Sequence, residues 1–274
     1  MSERDDYRRA GGRAAGELRP VRIEMGPMKY AEGSALIEMG DTRVLVAASV
    51  DNRVPHFLAN SGRGWVTGEY AMLPRATASR STREVTRGRP SGRSSEIQRL
   101  IGRSLRAVVD FAALGERTVT VDSDVLQADG GTRTASITAG YCALAAACAR
   151  LLLTGDVERW PLSGQVAAVS SGIVDGRPLL DLEYVEDAGA EVDLNVVATD
   201  GGAIIEIQGT GEERAFTRQE MDVLVDLALD GIGRLAAVQR DALAATMEEV
   251  DAVLARGRRR PAPAKDEADL WGAP

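Results

Sequence analysis

Short apolar runs come in three pairs along the chain, each pair split by turn-forming residues. Ala35–Met39 and Val44–Ala48 flank Gly40-Asp41-Thr42. Val166–Val174 and Leu179–Tyr184 flank Asp175-Gly176, and Asp193–Ala198 and Ala203–Gln208 flank Asp200-Gly201-Gly202. Each pair predicts a β-hairpin, the Asp-Gly dipeptide most strongly, because a tight hairpin turn wants positive φ at its centre. Val119–Leu126 is a further strand-like run.

Four other stretches carry the helical period. From about Ser95 to Ala113, Ile97, Leu100, Ile101, Leu105, Val108 and Val109 keep one face apolar, and Ser95-x-x-Gln98 forms a capping box. The opposite face carries Arg99, Arg103 and Arg106. Thr134 to Leu153 is apolar nearly all round, which predicts a central buried helix. A second capping box, Thr217-x-x-Glu220, opens an amphipathic helix to about Leu235. A fourth continues from Ala236 toward Leu254, either separate or one with the third.

The order of elements predicts an α+β fold of two halves, each a sheet backed by helices, with a break near Gly155–Gly164. An internal echo supports two halves: Ala128-Asp129-Gly130-Gly131 in the first, Thr199-Asp200-Gly201-Gly202 in the second. Residues 1–16 read as a flexible arm, 17–155 as the first half, 156–245 as the second, and 246–274 as a helix end with a disordered tail.

Composition narrows the chemistry. Apolar residues make up 44% of the chain but aromatics only 4%, so the core must be built of Ala, Val, Leu and Ile. No run of eighteen apolar residues occurs, and the charged Met1–Arg9 leads into no apolar segment, so neither a membrane span nor a secretory signal is expected. Cys142 and Cys148, six apart, lack the spacing of a redox or zinc motif and read as two buried thiols, which points to the cytoplasm. His56 is the one histidine, which excludes a histidine-rich zinc site and disfavours nucleophile–histidine catalysis. Arginine, carboxylate, hydroxyl and backbone groups remain.

The net charge of −8 disfavours nucleic acid at first sight. Yet ten arginines against three acids between Arg63 and Arg106 make that segment +7 and leave −15 for the rest. Local field, not total charge, governs binding of a polyanion.

Three places could carry chemistry. Asp129-Gly130-Gly131-Thr132-Arg133-Thr134 lies between a strand and the buried helix, where free amides, a hydroxyl and a guanidinium suit an oxyanion. An Asp-Gly-Gly turn by itself reads rather as an ordinary tight turn, and the Walker pattern is absent. The acids Asp181, Glu183, Glu186, Asp187, Glu191 and Asp193 read either as a solvated loop or as a divalent-metal site. Arg75 to Arg93 holds six arginines with Gly88, Pro90 and Gly92 and no aromatic, a loop suited to a phosphodiester backbone rather than to base stacking. An anion site, a metal site and a polyanion track together point to phosphoryl transfer on a nucleic acid.

Several long motifs occur in order: Gly64-Trp65-Val66-Thr67-Gly68-Glu69-Tyr70-Ala71-Met72-Leu73-Pro74-Arg75, Ser91 to Ile101, Asp124 to Thr134, and Glu186-Asp187 through Asp193-Leu194-Asn195. In these the chain resembles the bacterial ribonuclease PH family, from about Leu18 to Leu243. The resemblance implies two βαβ-type halves with mixed sheets, and a phosphorolytic 3′→5′ exoribonuclease. Such an enzyme trims tRNA precursor 3′ ends, releases nucleoside diphosphates and works as a hexameric ring, a trimer of dimers. It implies inorganic phosphate held by Arg93, Gly131, Thr132 and Arg133. It further implies tRNA gripped by Arg75, Arg80 and Arg83, and Asp187 and Asp193 as the catalytic pair that holds Mg²⁺. Asp187 is either a second metal ligand or the acid that protonates the leaving oxygen. The competing readings are a non-catalytic RNA-binding ring subunit of an exosome-like assembly and a hydrolytic metal-dependent nuclease.

Overall fold

The computed structural model describes Arg9 and residues 12–257. β1 (Val21–Met25), β2 (Gly33–Met39), β3 (Thr42–Asp51), β4 (Trp65–Met72) and β5 (Thr118–Gln127) form one sheet in the order β1-β2-β3-β5-β4. Neighbours pair antiparallel except β4, which runs parallel to β5. A parallel neighbour requires a crossover, and α1 (Gly92–Arg106) followed by the one-turn α2 (Phe111–Leu114) supplies it. The sheet is therefore mixed, as expected.

α1 begins earlier and ends sooner than its hydrophobic period predicts. The cap is Ser91, whose hydroxyl accepts the Ser94 amide at 3.1 Å, so the Ser95 capping box is not the start. Beyond Arg106 the apolar positions continue, but Asp110 caps α2 instead by accepting from the Ala112 and Ala113 amides. Val108 and Val109 belong to the bend between the two helices, where Val109 bridges Leu162.

α3 (Thr132–Thr154) is the central helix. It packs against β2, β3 and β5 on one side and against β6 (Val166–Val174) and β8 (Val192–Thr199) of the second sheet on the other. Contact on both sides explains why its sequence is apolar all round. Length and hydropathy alone would let it cross a bilayer, but most of it is buried in protein. Cys142 and Cys148 are free thiols on it, fully buried and pushed up to about 12 by desolvation. β2 crosses this helix closely: a Cβ on Gly33 would lie 2.1 Å from the Ala143 carbonyl oxygen.

The second sheet runs β7-β6-β8-β9, antiparallel throughout, with β7 at Arg177–Leu180 and β9 at Ile204–Gly211. Asp175 and Gly176 take positive φ, 50° and 69°, as a tight hairpin turn requires. β7 is shorter than the run to Tyr184 suggests. Asp181, itself at φ 52°, turns the chain away into the short α4 (Tyr184–Ala188). α5 (Arg218–Gly257) is a single helix, so the third and fourth helical stretches are one.

Part of the presumed N-terminal arm is held in place. Arg9 and Arg13 both reach Glu186, and both donate to the Asp181 carbonyl at 3.0 Å. The expected tail beyond Gly257, and residues 1–8, 10 and 11, lie outside the described residues.

Candidate active site

β5 ends at Gln127, and the chain enters α3 through Gly130 and Gly131, at φ 76° and 64°. A side chain would strain both positions. Gly131 is the helix N-cap, so Thr132 and Arg133 form the first turn, two residues before the expected start at Thr134. Amides of a first turn have no intrahelical partner and carry the positive end of the helix dipole. The Thr132 hydroxyl is held by Tyr70 of β4 at 2.9 Å, and Thr134 Oγ1 donates to the Gly131 carbonyl at 2.9 Å. Burial raises the Tyr70 phenol above its ordinary value, so it stays neutral.

The turn opens on a cleft of about 330 Å³ between the two halves. Arg93, Gly131, Thr132 and Arg133 line it from the first half, and Asp187, Asp193, Asn195 and Gln208 from the second. Arg93 arrives from the first turn of α1, a placement that follows from the Ser91 cap. Arg133 Nη1 donates to Gln208 Oε1 on β9 at 2.9 Å and lies 3.7 Å from Glu96 on α1. Gln208 is steadied in turn, donating to Glu206, which Arg103 grips through two hydrogen bonds of 2.9 and 2.6 Å.

Of the six acids in the 181–193 cluster, two face the cleft. Asp187 comes from α4 and Asp193 from β8, and Asn195 Nδ2 donates to Asp193 at 3.2 Å. Asp181 and Glu186 are instead buried in arginine pairs, and Glu191 pairs with Arg214 at the surface. Burial first, then the charge of Asp187, pushes the Asp193 carboxyl up to about 6, with Arg133 and Asn195 opposing. Asp187 is also raised by desolvation, against the pull of Arg93 and Arg133. A close carboxylate pair, costly to ionise together, suits a cation. Two carboxylates facing one cleft would suit an ion such as Mg²⁺, which takes its further oxygens from water or substrate.

Arg75, Arg80 and Arg83 do not line the cleft. They lie exposed on the connection between β4 and α1. That connection is tied to the site: the Ala128 amide, just before the glycine turn, donates to the Ala76 carbonyl at 2.8 Å. Gln208, Glu96, Asn195 and Tyr70 were not singled out from the sequence. Tyr70, Glu96 and Asn195 lie inside the family motifs, and Asn195 follows Asp193 on the same face of β8, whereas nothing local marks Gln208.

Family models match both halves: the 3′ exoribonuclease family, domain 1, over residues 17–149, and domain 2 over residues 164–231. The chain belongs to the 3′ exoribonuclease family. It is 57% identical over 235 residues to ribonuclease PH of Moorella thermoacetica, an alignment covering 86% of this chain and 94% of that protein. On that identity it is a phosphate-dependent 3′→5′ exoribonuclease and a nucleotidyltransferase, and the non-catalytic ring subunit is not favoured. Its fold is similar to the Archaeoglobus fulgidus exosome with RNA bound to the active site (TM-score 0.71, 25% identity, 85% of this chain and 92% of that one). It is also similar to rice (Oryza sativa) Rrp46 (TM-score 0.69, 21% identity, 86% of this chain and all of that one).

Proposed function

We propose that the chain trims the 3′ ends of tRNA precursors in the cytoplasm as a homohexameric ring, and that the cleft between its halves is the catalytic site. One observation carries the site assignment: an anion cradle from the first half faces a carboxylate pair from the second across a single cleft.

Inorganic phosphate binds to Arg93, Arg133 and the amides at Gly131 and Thr132. A phosphate oxygen attacks the last phosphodiester in line. The new P–O bond forms as the bond to the penultimate 3′ oxygen breaks, and a nucleoside diphosphate leaves. No protein nucleophile takes part, which agrees with two buried neutral thiols. Gln208 and Glu96 steer the Arg133 fork, so the chain contributes positioning and charge neutralisation. Asp193, the deeper of the two aspartates, would help hold Mg²⁺. Asp187, at the open side, would share the ion or deliver a proton to the leaving 3′ oxygen. Bound there, Mg²⁺ would neutralise charge on the scissile phosphate. Arg75, Arg80 and Arg83, outside the cleft, hold the RNA backbone.

The test is product identity on a tRNA bearing extra 3′ nucleotides. Nucleoside diphosphates should appear only with phosphate present. Arg133→Ala should lose about 2–4 kcal/mol of transition-state stabilisation while still binding tRNA. Release of nucleoside monophosphates without phosphate would mean hydrolysis and refute the assignment. Light scattering should report a mass of six chains, and a monomer would remove the ring.

A further inference from the structure

A buried ionic cluster on the far side of the glycine turn takes no direct part in that chemistry, yet it touches both halves of the site. Arg19, 4% exposed, directs its fork two ways. Toward the second half it meets Asp181, 1% exposed: Nη2 lies 2.7 Å from Oδ1, Nε 3.1 Å from Oδ2, and the Arg19 amide donates to Oδ2 at 2.8 Å. Toward the first half Nη1 donates to the Asp129 carbonyl, and Nη2 reaches the Gly130 carbonyl at 3.5 Å. Thr42 completes the turn's support. Its hydroxyl donates to the Gly130 carbonyl at 2.7 Å and accepts the Asp129 amide at 2.9 Å.

Asp181 stands at the entry to α4. From there Glu183 caps α4 in a capping box with Glu186, Arg9 grips Glu186, and Asp187 is the next residue. The turn also abuts this segment directly, since a Cβ on Gly130 would lie 2.5 Å from the Leu182 carbonyl oxygen. One guanidinium thus joins the turn that binds phosphate to the segment that carries an aspartate of the metal pair.

Stability alone does not account for such a pair. Two buried charges lose their hydration, and an apolar pair of similar volume often serves a core as well. What only a fixed planar fork provides is simultaneous, directional donation to a carboxylate and to carbonyls of another element.

We propose that Arg19 and Asp181 are positioning residues that set the attacking phosphate at its working distance from Asp187 and Asp193. The proposal rests on the assignment of those groups above. Its consequence is specific. Loosening the fork should misplace phosphate relative to the aspartates, with RNA binding on the exposed arginines outside the cleft kept.

The experiment is steady-state kinetics of the full chain with phosphate and Mg²⁺ on an RNA with an unpaired 3′ end, alongside RNA affinity and thermal melting. Arg19→Lys keeps the charge but not the fork, and Thr42→Val removes the turn's hydroxyl without changing its shape. Arg19→Lys should lower kcat on the order of 10²-fold, the cost of a misplacement near 1 Å. It should also raise the phosphate KM and leave RNA affinity unchanged. Thr42→Val should move both constants the same way by a smaller factor. Gln239→Met is the structural control, because Gln239 is fully buried and bonds the Thr138 and Val166 carbonyls. It should lower the melting temperature and leave both constants alone.

Wild-type kcat and phosphate KM in Arg19→Lys and Thr42→Val overturn the proposal, whatever the melts show. If Arg19→Lys does not fold, Thr42→Val decides on the same two constants. Arg133→Ala, run in parallel, separates the two levels. Full activity there discards the phosphate site itself, whereas an inactive Arg133→Ala beside unaltered Arg19→Lys and Thr42→Val discards the coupling alone.

Discussion

Asp193 illustrates how burial and a neighbouring charge set the ionisation of a single residue. Its folded-state pKa of about 6 lies above the ordinary 3.8, because burial and Asp187 disfavour the charge more than Arg133 and Asn195 favour it. Between those two values the native chain holds a proton that the unfolded chain has released. Stability from this group is therefore fully present below pH 3.8 and is lost as pH rises through about 6. In metal-free protein at about pH 8, Asp193→Asn should be more stable than wild type by up to about 3 kcal/mol. The gain should vanish near pH 3.5 or below, roughly where both states are protonated. Melts in chelator across that range check it. An unchanged melting temperature at neutral pH would mean that the carboxyl is not strained. At this scale the motifs pointed to Arg93, Arg133, Asp187 and Asp193, and the fold brings all four to one cleft. No motif pointed to Gln208, since a glutamine in the middle of a strand announces nothing until an arginine from another element meets it.

At the scale of elements, the period of apolar residues located helices and strands but not their ends. α1 shows why. Ser91 and Ser95 are both competent caps, and the local sequence does not choose between them. Choosing Ser91 lets Ser94 pack inside, hydrogen-bonded to Glu84, and brings Arg93 to the cleft. Likewise the apolar spacing of Val108 and Val109 suits a helix, but a bridge to Leu162 wins. Close approach between elements is equally hidden from sequence. β2 meets α3 backbone to backbone at Gly33, where a methyl group would overlap the Ala143 carbonyl and the Ala147 amide. Gly33→Ala should therefore destabilise the chain by about 1–3 kcal/mol through overpacking. Urea denaturation would reveal it as a lower midpoint at unchanged slope, and a midpoint equal to wild type would show that β2 can shift at no cost.

For the molecule as a whole, uneven charge is the controlling quantity. The chain carries −8 overall, yet Arg75, Arg80 and Arg83 lie together on an exposed connection away from the cleft. Contacts to phosphates release counterions, so affinity depends on salt. Replacing all three by alanine should weaken tRNA binding and reduce the magnitude of the log–log salt slope by up to about 3, one per contact. Phosphorolysis of a very short oligonucleotide, which engages the cleft alone, should continue. An unaltered slope in filter binding would mean that these arginines do not touch RNA.

The sequence alone determined what depends on neighbours along the chain: two α+β halves, a buried central helix, hairpin turns, an arginine-rich loop, and motifs that named the family. These signals are local, because helical and strand periods, caps and glycine turns act over a few residues. Tertiary structure decided the fate of the acidic run. Six acids look alike in sequence, but the fold buries Asp181 and Glu186 against Arg19 and Arg9, leaves Glu191 at the surface with Arg214, and turns Asp187 and Asp193 toward the cleft. It also ties the N-terminal segment at Arg9 and Arg13 to the second half, more than 160 residues away. A carboxylate's role follows from which cation comes near it and how much water stays. Both are set by contacts between segments distant in the chain.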